Sequence, residues 1–114
     1  MAIDERKLCG YKAALIQAAK QMAEEYSDSM SYADFAVEYK SVCPSAASEW
    51  YKLSGDEIEH AEINSRIGQK VLSMVETEDA AAAADLRSMW AMAEELVSGL
   101  HEAVIKQRAA YVKQ

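Results

Sequence analysis

The tripeptide Cys43-Pro44-Ser45 carries the only proline in the sequence and cuts a long run of helix-forming residues in two. Proline disfavours helix at the residue before it and suits the first helical position after it. One helix therefore ends near Val42 and another begins at Pro44. Upstream, over about residues 4–42, apolar and small residues recur at three-and-four spacing: Leu8, Tyr11, Leu15, Ala18/Ala19, Met22, Tyr26, Ser29/Met30, Ala33 and Ala36/Val37. That is the pattern of one long amphipathic helix. Its weakest point is Ser27-Asp28-Ser29, three poor helix formers able to kink the rod or cap a break.

Downstream, over about 44–76, the stripe is Ala47, Trp50/Tyr51, Ser54, Ile58, Ala61, Ser65, Gly68, Val71/Leu72 and Val75. Thr77-Glu78-Asp79 then offers a short polar connection with capping residues. A third helix follows over about 80–112, on Leu86, Met89/Trp90, Ala93, Val97, Leu100, Val104 and Tyr111. Short connections make successive helices antiparallel. The fold class is all-α, an antiparallel bundle of three long helices in a single domain of 1–114.

Composition agrees with that outline. Four glycines and one proline leave little material for tight turns, and 51% of the residues are apolar, enough for a modest core. The net charge of −7 argues against nucleic-acid and anionic-membrane partners, which attract basic patches. Ile3-Asp4-Glu5-Arg6-Lys7 is too charged to open a secretory segment, and no apolar run approaches membrane-spanning length. Cys9 and Cys43, at opposite ends of the first helix, lie roughly 50 Å apart, beyond disulfide reach. The expectation is a cytoplasmic protein with reduced thiols.

Ile16, Phe35, Ile63, Ile67 and Met92 fall off the main stripes and need cover. The expected remedy is a homo-oligomer, a dimer or higher, with Ile63 and Ile67 at the contact.

The chemistry-bearing pattern is Glu57-Ile58-Glu59-His60, which sets Glu57 and His60 at i and i+3 on one helix face. Such a pair can offer a carboxylate oxygen and an imidazole nitrogen to one ion. Folding the first helix back about residue 43 brings Glu25 to the level of residue 61. Folding the third helix about residue 78 brings Glu94 and His101 to either side of the level of Glu57 and His60. Glu25, Glu57, His60, Glu94 and His101 therefore fall in one slab near mid-bundle, with small Gly55, Ala61 and Gly99 beside them. Carboxylates gathered inside a bundle repel one another unless a cation neutralises them. Oxygen ligands with one or two imidazoles suit iron or manganese. The bland alternative is a satisfied or water-exposed polar layer with no ion.

Glu25 precedes Tyr32 by seven residues, and Glu57-Ile58-Glu59-His60-Ala61 follows that tyrosine. This resembles the first helix pair of rubrerythrin-type ferritin-like proteins. The stretch from Asp28 to Ala61, with Tyr32-Ala33, Glu38-Tyr39-Lys40, Pro44 and Trp50-Tyr51-Lys52-Leu53-Ser54, looks still closer to short ferritin-like proteins of phages and prophages. The resemblance covers residues 20–70. It implies Glu25, Glu57 and His60 as metal ligands, Tyr32 as a nearby hydrogen-bonding residue, and ferroxidase or peroxide-linked chemistry. A second Glu and a second Glu-x-x-His, which complete such bundles, are missing. Three outcomes stay open: Glu94 and His101 complete an irregular site, a second subunit completes a symmetric one, or catalysis is lost. The phage likeness also implies a rival role, a metal-free virion or capsid-associated protein whose partners are phage structural proteins.

Overall fold

The computed structural model describes residues 2–114, and it consists of three helices: α1 (Glu5–Tyr39), α2 (Pro44–Glu78) and α3 (Ala80–Lys113). Successive helices are antiparallel, so α1 and α3 run the same way. The Ile3 amide meets Asp79 at one end of the rod, and Lys40 meets the backbone of Tyr111 and Gln114 at the other. The whole measures 62 × 18 × 15 Å, as rods of 35 residues at ~1.5 Å per residue require.

α1 passes Ser27-Asp28-Ser29 without a break, because Ser29 is not a surface residue there. Its hydroxyl is buried, donates to the Ser54 carbonyl at 2.7 Å and lies 2.9 Å from the Ser54 hydroxyl. The pair satisfies itself across the α1–α2 contact, so two buried polar groups carry no desolvation penalty that would favour a kink. Asp4 caps α1 by accepting from the amides of Arg6 and Lys7.

The polar connection foreseen at 77–79 shrinks to one residue. Thr77 and Glu78 stay helical, and Asp79 alone is extended. Asp79 terminates α2 through its amide to the Val75 carbonyl, while its carboxylate accepts from Ala82 and thereby caps α3. The same carboxylate accepts from Ile3. These amides, Ala82 first and Ile3 next, hold the Asp79 carboxyl below its ordinary value. Stability from this joint is present above the ordinary aspartate range and is lost as pH falls through the lowered value.

The two interfaces of α1 are built from different materials. Toward α2 the buried residues include Ala33, Ala36, Ala47, Ser54 and Ala61, all 0% exposed, so these backbones approach closely. The core proper lies nearer the α2–α3 joint, where Leu15, Met22, Leu72, Val75, Leu86 and Trp90 pack together. Trp90 enters from α3 over Gly68. A Cβ on Gly68 would stand 2.1 Å from the indole ring, so the missing side chain is the notch that seats it. Among the described residues the buried Trp90 Nε1 has no hydrogen-bond partner.

Beyond Trp90, α3 buries no side chain until Val104. Met89 and Leu100, expected on its inner stripe, are 44% and 40% exposed. The inward positions of this stretch go to Trp90, Val97 and His101 instead, which turns Met89 and Leu100 toward the rim. The far end of α3 is fastened by aromatic contacts: Tyr111 stacks on Tyr51 at 4.5 Å, and the Arg108 guanidinium covers Tyr51 at 3.9 Å while donating to the Tyr51 carbonyl. Both cysteines are free and exposed, and no described helix is long and apolar enough to cross a membrane. The off-stripe residues Ile16, Phe35, Ile63, Ile67 and Met92 are all exposed.

Candidate metal centre

Close approach of α1 and α2 decides where short carboxylates can meet. With Ala61 and Ser54 at the contact, residues just to one side of that seam face each other across a narrow groove. Glu25 on α1 and Glu57, His60 and Asn64 on α2 occupy those positions. Glu57, His60 and Asn64 follow one another at three- and four-residue intervals, one helical ridge.

One donor atom from each of Glu25, Glu57 and His60 lies within 4.8 Å of the other two. His60 Nδ1 is 3.6 Å from Glu57 Oε1 and 3.8 Å from Glu25 Oε2. These separations are too long for hydrogen bonds. They are close to the spacing of two ligands about one ion at metal–ligand distances of ~2.0–2.2 Å. The second oxygen of Glu25 accepts a 2.6 Å hydrogen bond from Asn64 Nδ2, and Asn64 also donates to the His60 carbonyl. Asn64 thus fixes the Glu25 carboxylate with one oxygen turned toward the imidazole.

Burial is graded across the trio. The Glu25 side chain is 13% exposed, Glu57 20% and His60 54%. Burial raises the Glu25 carboxyl above its ordinary value; Asn64 and His60 pull it down, and the neighbouring Glu57 and Asp28 push it up again. An anion held there in a partly dry groove, with a second carboxylate beside it, is a position where a cation gains. The donor set fits a divalent metal with room for further ligands on the His60 side.

Glu94 and His101 are not part of this group. They line a concavity of about 150 Å³ with Met22, Tyr26, Ser65 and Val97. His101 stacks on Tyr26, ring centres 4.9 Å apart and planes 23° from parallel. Burial, reinforced by the carboxylates of Glu62 and Glu25, raises the Tyr26 phenol. The two histidines thus reach α1 from different neighbours, His60 against Glu25 and His101 against Tyr26.

Tyr32, two turns beyond Glu25 on α1, is half-buried. Gly55 makes room for the Arg108 guanidinium rather than for an ion, and a Cβ on Gly99 would meet nothing within 4 Å. Asn64 is the residue that sequence reasoning missed. Its position four residues after His60 was the available signal, since i and i+4 share a helix face. Set against family models, curated proteins and solved structures, the chain matches none.

Proposed function

We propose that this chain is a ferritin-like metal-binding bundle that takes iron or manganese at Glu25, Glu57 and His60. The observation that supports this reading is the convergence of two carboxylates and one imidazole, from two helices, at ligand spacing rather than hydrogen-bond spacing. Glu57 and His60 supply the Glu-x-x-His pair, and Glu25, oriented by Asn64, supplies the facing carboxylate. Iron bound here would supply ferrous oxidation by oxygen or peroxide. The protein's own residues do three things: they neutralise the cation, fix its position on the α1–α2 seam, and leave the His60 side open.

Glu94 and His101 lie outside the trio, so the coordination sphere is completed by water or by a second copy of the chain. Ile63 and Ile67, 45% and 42% exposed and following His60 along α2, provide apolar cover for such a contact. A second reading, a metal-free interaction or virion protein, draws on the uncovered apolar residues of α3. Anaerobic loading with Fe(II) or Mn(II), followed by elemental analysis, separates the two. The metal reading expects close to one ion per chain, and less than about 0.2 per chain sinks it.

A further inference from the structure

Ser65 and Glu94 stand one turn along the rod from the Gly68–Trp90 contact, Ser65 before the glycine on α2 and Glu94 after the indole on α3. The indole lies between the two helices at that contact and props them apart. One turn on, Ser65 and Val97 are too short to close the gap. What results is the concavity of about 150 Å³, floored by Met22 and Tyr26 of α1 and walled by Ser65, Glu94, Val97 and His101.

Its polar groups are left unpaired. Tyr26 is 7% exposed, and its hydroxyl makes no hydrogen bond among the described residues. The surface that Tyr26 keeps opens on the concavity. Half-buried Ser65 makes none with its hydroxyl either, and the half-buried Glu94 carboxylate enters no ion pair among the described residues. Elsewhere in the bundle such groups are satisfied: Ser29 and Ser54 by one another, and the Tyr11 hydroxyl by Glu78 at 3.1 Å. A buried hydroxyl is normally paired, so one that opens on a concavity marks where a partner arrives from outside the chain.

Charge and size name the class of that partner. Glu94 supplies a carboxylate, and no lysine or arginine lines the concavity. The carboxylates of Glu62 and Glu25 also act on the Tyr26 phenol. An anion is repelled there and a cation is drawn in. Met22, Val97 and the flat His101 ring, stacked on Tyr26, offer surface to an apolar body as well. A divalent ion uses none of that surface, and among the described residues Glu94 and His101 belong to no set of three metal donors at ligand spacing. A cavity of roughly 150 Å³ accommodates one six-membered ring.

We infer that the concavity between α2 and α3 binds a small organic ammonium, with its charge against Glu94, its N–H groups on the hydroxyls of Tyr26 and Ser65, and its carbon body on Met22, Val97 and His101. This site shares no residue with the Glu25–Glu57–His60 group and is independent of any metal there.

Histidine ring resonances test it directly, since the chain has two histidines and His101 alone lines the concavity. With the full chain in chelator at about pH 7.5, benzylammonium should move the His101 signals with a Kd below about 1 mM and leave those of His60 in place. Benzyl alcohol, which has the same shape without the charge, should bind at least about tenfold more weakly, and benzoate should not bind. Glu94→Gln should weaken benzylammonium binding by at least about tenfold, while Glu95→Gln, on the exposed flank, should stay within about twofold of the parent. Ser65→Leu, which fills the concavity, should abolish the shift while circular dichroism shows the helices intact. The inference is overturned if about 10 mM benzylammonium gives no saturable His101 shift. Equal affinity for benzyl alcohol, indifference to Glu94→Gln, or an undiminished shift in Ser65→Leu overturns it as well.

Discussion

Glu25 and Tyr26 are consecutive on α1, and each meets one of the two histidines of the chain on different terms. Glu25 faces α2, where small residues bring the backbones together and a carboxylate can reach an imidazole and an amide. Tyr26 faces α3, where the gap is wide enough for an aromatic ring to lie flat on His101. One side of α1 therefore gathers charge and the other stacks rings. Helix separation, set by the size of the residues on each seam, selects which chemistry a histidine can join.

The sharpest way to break this contrast is to remove each histidine in turn. If the α1–α2 side alone holds metal, His60→Ala or Glu57→Gln should weaken Mn(II) binding by more than about 100-fold, beyond the 10–100-fold typical of residues that only support ligands. His101→Ala should leave it within about twofold, as should Glu59→Gln, whose side chain is exposed. Titration calorimetry reads all four. Equal losses at His60 and His101 would merge the two regions into one site.

The α3 side depends on the notch at Gly68. Gly68→Ala forces a methyl into the Trp90 ring and should cost about 2–3 kcal/mol, in the range for overpacking, or roughly 10–20 °C in Tm. The Tyr26–His101 stack itself is a smaller matter. His101→Ala should cost ~1 kcal/mol, seen as a Tm lowered by about 5 °C. A stability loss from His101→Ala larger than from Gly68→Ala would make the stack, not the indole, the element that fastens α3.

The smallest effect is the most diagnostic of the trio. With its carboxyl raised by burial, Glu25 is ionised at a cost near neutral pH. Glu25→Gln should therefore raise the Tm of the metal-free chain by a few degrees at pH 7, and the gain should vanish as pH falls toward the carboxylate range, where the parent is protonated. Metal binding in the parent should weaken as pH falls through the same range, where the cation has to displace the carboxyl proton. A Glu25→Gln chain less stable than the parent at pH 7 would show that its hydrogen bond from Asn64 outweighs its burial.

The height of each residue along the rod was legible in the sequence, and its azimuth was not. Pro44 and the polar stretch at 77–79 mark where the chain reverses, and counting back about residues 43 and 78 places Glu25 level with Ala61 and sets Glu94 and His101 to either side of the level of Glu57 and His60. The i and i+3 pair of Glu57 and His60 needs only helix geometry. Which side of α1 faces α2 depends on how Ala33, Ala47, Ser54 and Ala61 pack against one another, and that is a property of pairs. His101 for this reason stacks on Tyr26 instead of joining the trio, and Glu94 lines the concavity beside it. The inner stripe of α3 was misread at Met89 and Leu100 on similar grounds: apolar periodicity there records two faces, one turned inward and one left outward.

Asp79 carries a consequence of another kind. A loop of several residues absorbs insertions, but a joint of one residue acts as an angular stop. Each residue added to it would turn α3 by about 100° and advance it by ~1.5 Å, like a screw. Trp90 would leave the Gly68 notch at the first step. Length changes should be tolerated at residues 40–43, where the chain is already irregular, and rejected at 79, so the spacing from Gly68 to Trp90 is as fixed a feature of this protein as any side chain in it.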